Sequence, residues 1–145
     1  MPKLLLLVLI VLVGTGCRRV NSSDLVGTWT ITSSSRHVLP SGLQKAKAKI
    51  VLQANGSFTA FELPGFLSVP PERESLDSGT GSWKLAFREG RQQVQLDFSS
   101  REGVKAAEVP FGVQLELSSR WGKPYLFYFF RDPDEGRRVE FERSK

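Results

Sequence analysis

Residues 82–98, SWKLAFREGRQQVQLDF, decide the fold. Trp83, Leu85 and Phe87 alternate with Ser82, Lys84 and Arg88, and Val94, Leu96 and Phe98 alternate with Gln93, Gln95 and Asp97. A period of two puts successive side chains on opposite faces of a strand, so each half reads as a β-strand with one buried face. Glu89-Gly90-Arg91 supplies the turn between them. The stretch predicts an antiparallel hairpin.

The same period extends in both directions. Toward the N-terminus, Leu25, Gly27, Trp29 and Ile31 share one parity, while Thr28, Thr30 and Thr32 share the other. Ala48, Ile50 and Leu52 alternate with Lys47, Lys49 and Gln53, and Asn55-Gly56 then turns the chain tightly into a strand over 57–63. Asn55-Gly56-Ser57 also matches a glycosylation sequon, but the flanking strands favour the turn. Toward the C-terminus, Phe111, Val113, Leu115 and Leu117 alternate with Gly112, Gln114, Glu116 and Ser118. Residues 125–130 are a solid apolar run, Asp132-Pro133-Asp134-Glu135-Gly136 turns, and Val139 and Phe141 alternate with Arg138, Glu140 and Glu142.

These segments predict eight strands in hairpin order and no helix in the mature chain. An open sheet would leave two unpaired edges, and closure removes both. The expected fold is therefore all-β, a single antiparallel eight-stranded up-and-down barrel over residues 25–145. A β-sandwich is the alternative.

The N-terminus carries a different signal. Met1-Pro2-Lys3 is a short basic stretch, and residues 4–13 hold no polar side chain. As a helix that run spans about 15 Å, half a bilayer core, which suits the apolar part of an export signal better than a membrane span. Gly14-Thr15-Gly16 and then Cys17 follow. The arrangement resembles the lipobox of bacterial lipoproteins, in which small residues precede a cysteine that is lipidated before cleavage. Gly14 departs from the large aliphatic residue usual three places before that cysteine. Gly14-x-Gly16 also satisfies ordinary signal cleavage, which would leave Cys17 a free thiol. Cys17 is the only cysteine in the chain, so no internal disulfide is available to it, and an unpaired thiol is a liability after export.

The expected organisation is a signal peptide over 1–16, a lipidated N-terminus and short tether over 17–24, and the barrel. By the same resemblance, Arg18 in place of an aspartate points to the outer membrane of a Gram-negative envelope. The tether from Arg18 to Asp24 reaches at most about 25 Å.

Composition fits one folded domain. The chain has 145 residues, 40% hydrophobic and 24% charged, with a net charge of +5. Without the signal about 130 residues remain, enough for one core but not two. Lys and Arg are interspersed with acids, as in Arg88-Glu89 and Arg101-Glu102, rather than gathered into the single basic face of a nucleic-acid binder. Arg18-Arg19 beside the anchor gives mild attraction to anionic headgroups.

Leu25-Val26-Gly27-Thr28-Trp29 resembles the Gly-x-Trp element that opens the first strand of lipocalins and related calycins. Gly81-Ser82-Trp83 carries the same spacing. In that superfamily a basic residue near the end of the last strand packs across the tryptophan and closes the barrel. In an even-stranded up-and-down barrel the end of the last strand lies beside the start of the first. Arg143, which shares parity with Val139 and Phe141, is thereby placed to stack on Trp29. Gly27, Trp29 and Arg143 are the expected closure.

Catalysis finds little support. His37 is the only histidine, in a Ser-rich loop, and Cys17 is committed to the anchor, so no Cys/His dyad or His/Cys metal cluster is expected. Asp132-x-Asp134-x-Gly136 resembles the start of a calcium loop, but Pro133 interrupts it and no distal Glu completes it. Glu72, Glu74 and Asp77 lie in a Pro/Ser/Gly-containing loop. Neither an enzyme nor a cofactor is expected.

Binding fits better. Parity places Trp83, Phe87, Phe98, Phe111 and Phe141 inside with Trp29, and adds Phe127 and Phe129 if Tyr125 also faces inward. These aromatics either line a lipophilic pocket or plug the barrel. That parity leaves Leu126, Tyr128 and Phe130 outside as an apolar stripe, a candidate partner surface together with the long loop 64–81. Residues 33–45 follow strand one, where lipocalins carry their lid. The leading expectation is a membrane-anchored barrel that binds a small hydrophobic ligand. The other is a non-enzymatic interaction module, an inhibitor or envelope-assembly accessory, using outer surface and loops.

Overall fold

Residues 82–98 form the hairpin that the alternation predicts, as the ends of two longer strands in the computed structural model, which describes residues 19–64, 76–102, 111–130 and 132–145. The strands are β1 (Gly27–Ile31), β2 (Lys49–Leu52), β3 (Ser57–Pro64), β4 (Leu76–Arg88), β5 (Arg91–Arg101), β6 (Phe111–Arg120), β7 (Lys123–Phe129) and β8 (Arg138–Arg143). Each pairs antiparallel with the next, and β8 pairs with β1, so the sheet closes on itself. The fold is an eight-stranded up-and-down barrel closed at the β1–β8 seam, with the β4–β5 hairpin projecting beyond its neighbours.

Expected and observed parity agree over most of the barrel. Trp29, Ile31, Ile50, Leu52, Phe58, Ala60, Val94, Leu96, Phe98, Val113, Leu115, Val139 and Phe141 are all buried. Two elements differ. β4 starts at Leu76 rather than near Ser82, because Ser78-Gly79-Thr80-Gly81 has no apolar alternation to betray a strand. Its glycines are there for space. A Cβ on Gly81 would run into the Asp97 carbonyl and come within 2.9 Å of the Phe58 ring. Phe58 and Phe98 meet edge to face at 4.8 Å beneath it.

The second difference is in β7. Leu126, Tyr128 and Phe130 are buried at 0, 5 and 4% exposure, whereas Phe129 is 38% exposed. The expected outward stripe is thus the inward face, and Tyr125, Phe127 and Phe129 point outward. A run of six apolar residues carries no alternation, so parity cannot be read from it. The pairing of Leu126 with Phe141 across the β7–β8 ladder fixes the face.

Among the described residues, three short helical pieces interrupt the all-strand expectation. α1 (Ser22–Leu25) precedes β1, α2 (Ser33–Val38) follows it, and a 3-10 turn over Pro133–Glu135 joins β7 to β8. Pieces this short form only with local caps and tertiary contacts. The Thr32 hydroxyl accepts from the Ser35 amide at 3.2 Å, and Asp132 accepts from Asp134 at 2.9 Å. The Ser35 hydroxyl in turn accepts from the Glu140 amide at 2.8 Å, tying α2 to β8.

Candidate functional site

The barrel interior is the first place to seek a site, and its own side chains occupy it. Trp29, Ile50, Val94, Leu96, Leu115, Leu126, Val139 and Phe141 show no exposed surface, so no water-sized space touches them. Both ends are stopped. At the end that holds α1, Leu25 is fully buried, the Trp29 indole donates to the Leu25 carbonyl at 2.8 Å, and the Trp83 indole donates to the Gln53 carbonyl at 2.9 Å. Two large rings are thereby held with their polar atoms satisfied. At the other end Leu39 and Leu43, in the segment after α2, are buried in the same core, and the Tyr128 hydroxyl donates to the Pro64 carbonyl at 2.7 Å.

The expected lining residues divide accordingly. Trp83, Phe98 and Phe141 are inside the packed core. Phe87 has the inward parity but is 59% exposed, because β4 and β5 run past the end of the core there. Phe127 and Phe129 lie on the outer face, packed edge to face at 5.7 Å. The side chain of Phe111, the signal 1–16, Cys17 and most of the loop 64–81 lie outside the described residues. Within that last segment, 76–81 belongs to β4.

The closure residues come together, with a different chemistry from that expected. Arg143 stands opposite Trp29 in the β1–β8 register. Its guanidinium donates to the carbonyls of Asp24 and Val26, closing the open end of α1, and passes over Gly27. A cation near unsatisfied helix-end carbonyls is favourable. Among the described residues, the rings that carry a cation are Phe61, Phe87, Tyr125 and Phe127, not Trp29.

Asp77 is buried and paired with Arg101 at 3.0 Å. Burial, and then the nearby Asp77 carboxylate, push the Tyr128 phenol well above its ordinary range. His37 lies exposed in the last turn of α2. Asp132 caps the 3-10 turn, and Gly136 ends it in a left-handed conformation. Among the described residues no group of three His, Cys, Asp or Glu side chains is placed to hold a metal ion. Nor is any helix among them long and apolar enough to cross a membrane.

A groove of about 800 Å³ runs over the outer face where β7, β8 and β1 meet, floored by Thr30, Thr32, Tyr125, Glu140 and Glu142, with Trp121 and Lys123 at its rim. Glu140 is the hub of its wall: the carboxylate is largely buried and takes Arg120 at 3.3 Å and Arg138 at 3.4 Å. Those two guanidinium groups lie 5.0 Å from the rings of Tyr125 and Phe127 respectively. The outcome is a row of aromatic faces and cations pinned by one carboxylate. Such a surface offers apolar area beside hydrogen-bond donors and acceptors. The sequence missed it because it depends on the parity of β7. No protein-family model matches this sequence, and no curated protein is similar to it.

Proposed function

We propose that the protein is an exported, lipid-anchored, non-enzymatic interaction module of the cell envelope. The export signal over residues 1–16 and the lone Cys17 support the address and the anchor. The observation that carries the interaction reading is the packed barrel interior. With Trp29, Leu96 and Phe141 fully buried and both ends stopped, recognition falls to the outer surface, where the groove beside Tyr125 and Glu140 lies. The small lipophilic ligand expected from the barrel type would need that interior to open.

Two experiments test the parts separately. Cys17→Ser abolishes labelling by a fatty-acid analogue and leaves any membrane association releasable by high salt; retention of the label would remove the anchor. A photo-crosslinking residue at Tyr125 traps a discrete envelope partner in cells, whereas one at Lys84, on the far side of the barrel, does not. A stoichiometric lipophilic molecule released from the purified protein, with no adduct at Tyr125, would reverse the choice in favour of a carrier.

A further inference from the structure

In an up-and-down barrel alternate hairpin tips fall at the same end. Here the tips at 53–56, 89–90 and 121–122 share the end that also holds α1 and the close of β8. Two of these tips are built alike. Arg88-Glu89-Gly90-Arg91 turns with φ of +48° and +79° at its central residues, and Arg120-Trp121-Gly122-Lys123 turns with +55° and +73°. Each places a cation on both sides of a left-handed turn. Glycine or asparagine suits the first central position, and a tryptophan there is strained. Trp121 is nevertheless 95% exposed, so packing within the barrel does not offset that strain.

The chain that leads back toward residue 17 leaves the barrel at this same end. The Val20 amide donates to the Gln92 side chain at 3.0 Å, and the Gln92 amide returns a bond to the Val20 carbonyl at 2.7 Å. The Arg19 guanidinium lies 5.3 Å from the ring of Phe87, beside the β4–β5 tip. Arg88, Arg91 and Lys123 are exposed around these two aromatics, while the acids at this end are Glu89, Asp24 and Glu142. Tryptophan prefers the boundary between headgroups and acyl chains, and cations near an anionic leaflet are drawn to its phosphates.

We propose that this end of the barrel docks on an anionic lipid bilayer, with Trp121 entering the headgroup boundary and Arg88, Arg91 and Lys123 contacting lipid phosphates. The proposal rests on the anchor reading for its geometry: with Val20 held by Gln92, about three residues, roughly 10 Å when extended, separate a lipidated Cys17 from this face. Docking would set the barrel upright and lay the outer groove, whose rim includes Trp121 and Lys123, alongside the bilayer.

Trp121 is its own reporter. The chain has three tryptophans, and Trp29 and Trp83 are buried. The full chain is reconstituted into vesicles of brominated phosphatidylcholine with and without phosphatidylglycerol, and Trp121→Phe sets the baseline. Docking gives a blue-shifted, quenched Trp121 signal in the anionic vesicles that high salt weakens. Replacing Arg88, Arg91 and Lys123 by Gln in the Cys17→Ser background lowers vesicle binding about five-fold for each cation removed. An unquenched Trp121 in protein that co-floats with anionic vesicles overturns docking and leaves the anchor standing. Cys17→Ser protein that stays on membranes and keeps its fatty-acid label overturns the anchor, while salt-sensitive Trp121 quenching in that variant still supports the docking face.

Discussion

Arg143 stands directly across the β1–β8 seam from Trp29, yet the two side chains bind the same short helix rather than each other. The indole donates to the Leu25 carbonyl in the buried core, and the guanidinium donates to Asp24 and Val26 where it is exposed to solvent. Between them Gly27 has φ of +142°, and a Cβ there would sit 2.9 Å from the Arg143 Nε. The seam is closed by carbonyl groups at the end of α1, which the first and last strands share.

Arg143→Met should therefore destabilise the barrel by about 1–2 kcal/mol, the lower part of the range for charge-assisted bonds because the side chain is exposed. Gly27→Ala should cost about 1–3 kcal/mol through backbone strain and contact with the guanidinium. Urea unfolding of the two single variants and the double variant checks the argument. The double variant should lose less than the sum, since removing the guanidinium makes room for the methyl group. Strict additivity would separate Gly27 from Arg143.

The sequence carried the strand count, the closure and the register of the seam, because alternation survives wherever one face meets water. It failed where that contrast vanishes. In β7 every residue from Tyr125 to Phe130 is apolar, and cross-strand pairing with β8 sets the face. In β4 the residues from Ser78 to Gly81 are small and polar because the ring pair Phe58–Phe98 and the β5 backbone approach them. Phe87 illustrates a different limit, since parity gives the face but not where the core ends. The outer groove inherits the first failure, being lined by the face of β7 that alternation could not assign.

The face of β7 can be tested by paired truncations. Leu126→Ala should cost about 2–5 kcal/mol, the range for a fully buried leucine in a core that relaxes only partly. Phe129→Ala should cost about 1 kcal/mol or less, because its ring is 38% exposed and packs on the surface against Phe127. Denaturant midpoints decide between the faces; a larger loss at Phe129 would return the stripe Leu126, Tyr128 and Phe130 to the outside.

Gly81→Ala should destabilise by about 1–3 kcal/mol, because the added methyl group meets the Asp97 carbonyl and the Phe58 ring in a packed interior. Phe58→Leu made in the same chain should recover part of the ring's share of that loss and none of the backbone share. Full recovery would place the whole conflict at the ring.

Tyr128 makes stability depend on alkaline pH in a determined direction. Its hydroxyl donates to the Pro64 carbonyl at 2.7 Å in the core, and burial followed by the Asp77 charge holds its pKa well above the ordinary value of 10.0. In the unfolded chain the phenol loses its proton near its ordinary pKa, while the folded protein keeps it. The stabilisation is thus fully present below about pH 10 and is lost as pH climbs from there toward the raised folded value, at up to about 1.4 kcal/mol per pH unit. Tyr128→Phe should lower stability near neutrality by about 1–2 kcal/mol through the lost hydrogen bond. The same variant should also flatten the alkaline decline. Urea midpoints followed from about pH 8 to about pH 11 separate the two effects, since a purely structural loss shifts the curve without changing its slope. Parallel curves for the two proteins would assign the alkaline decline to other groups.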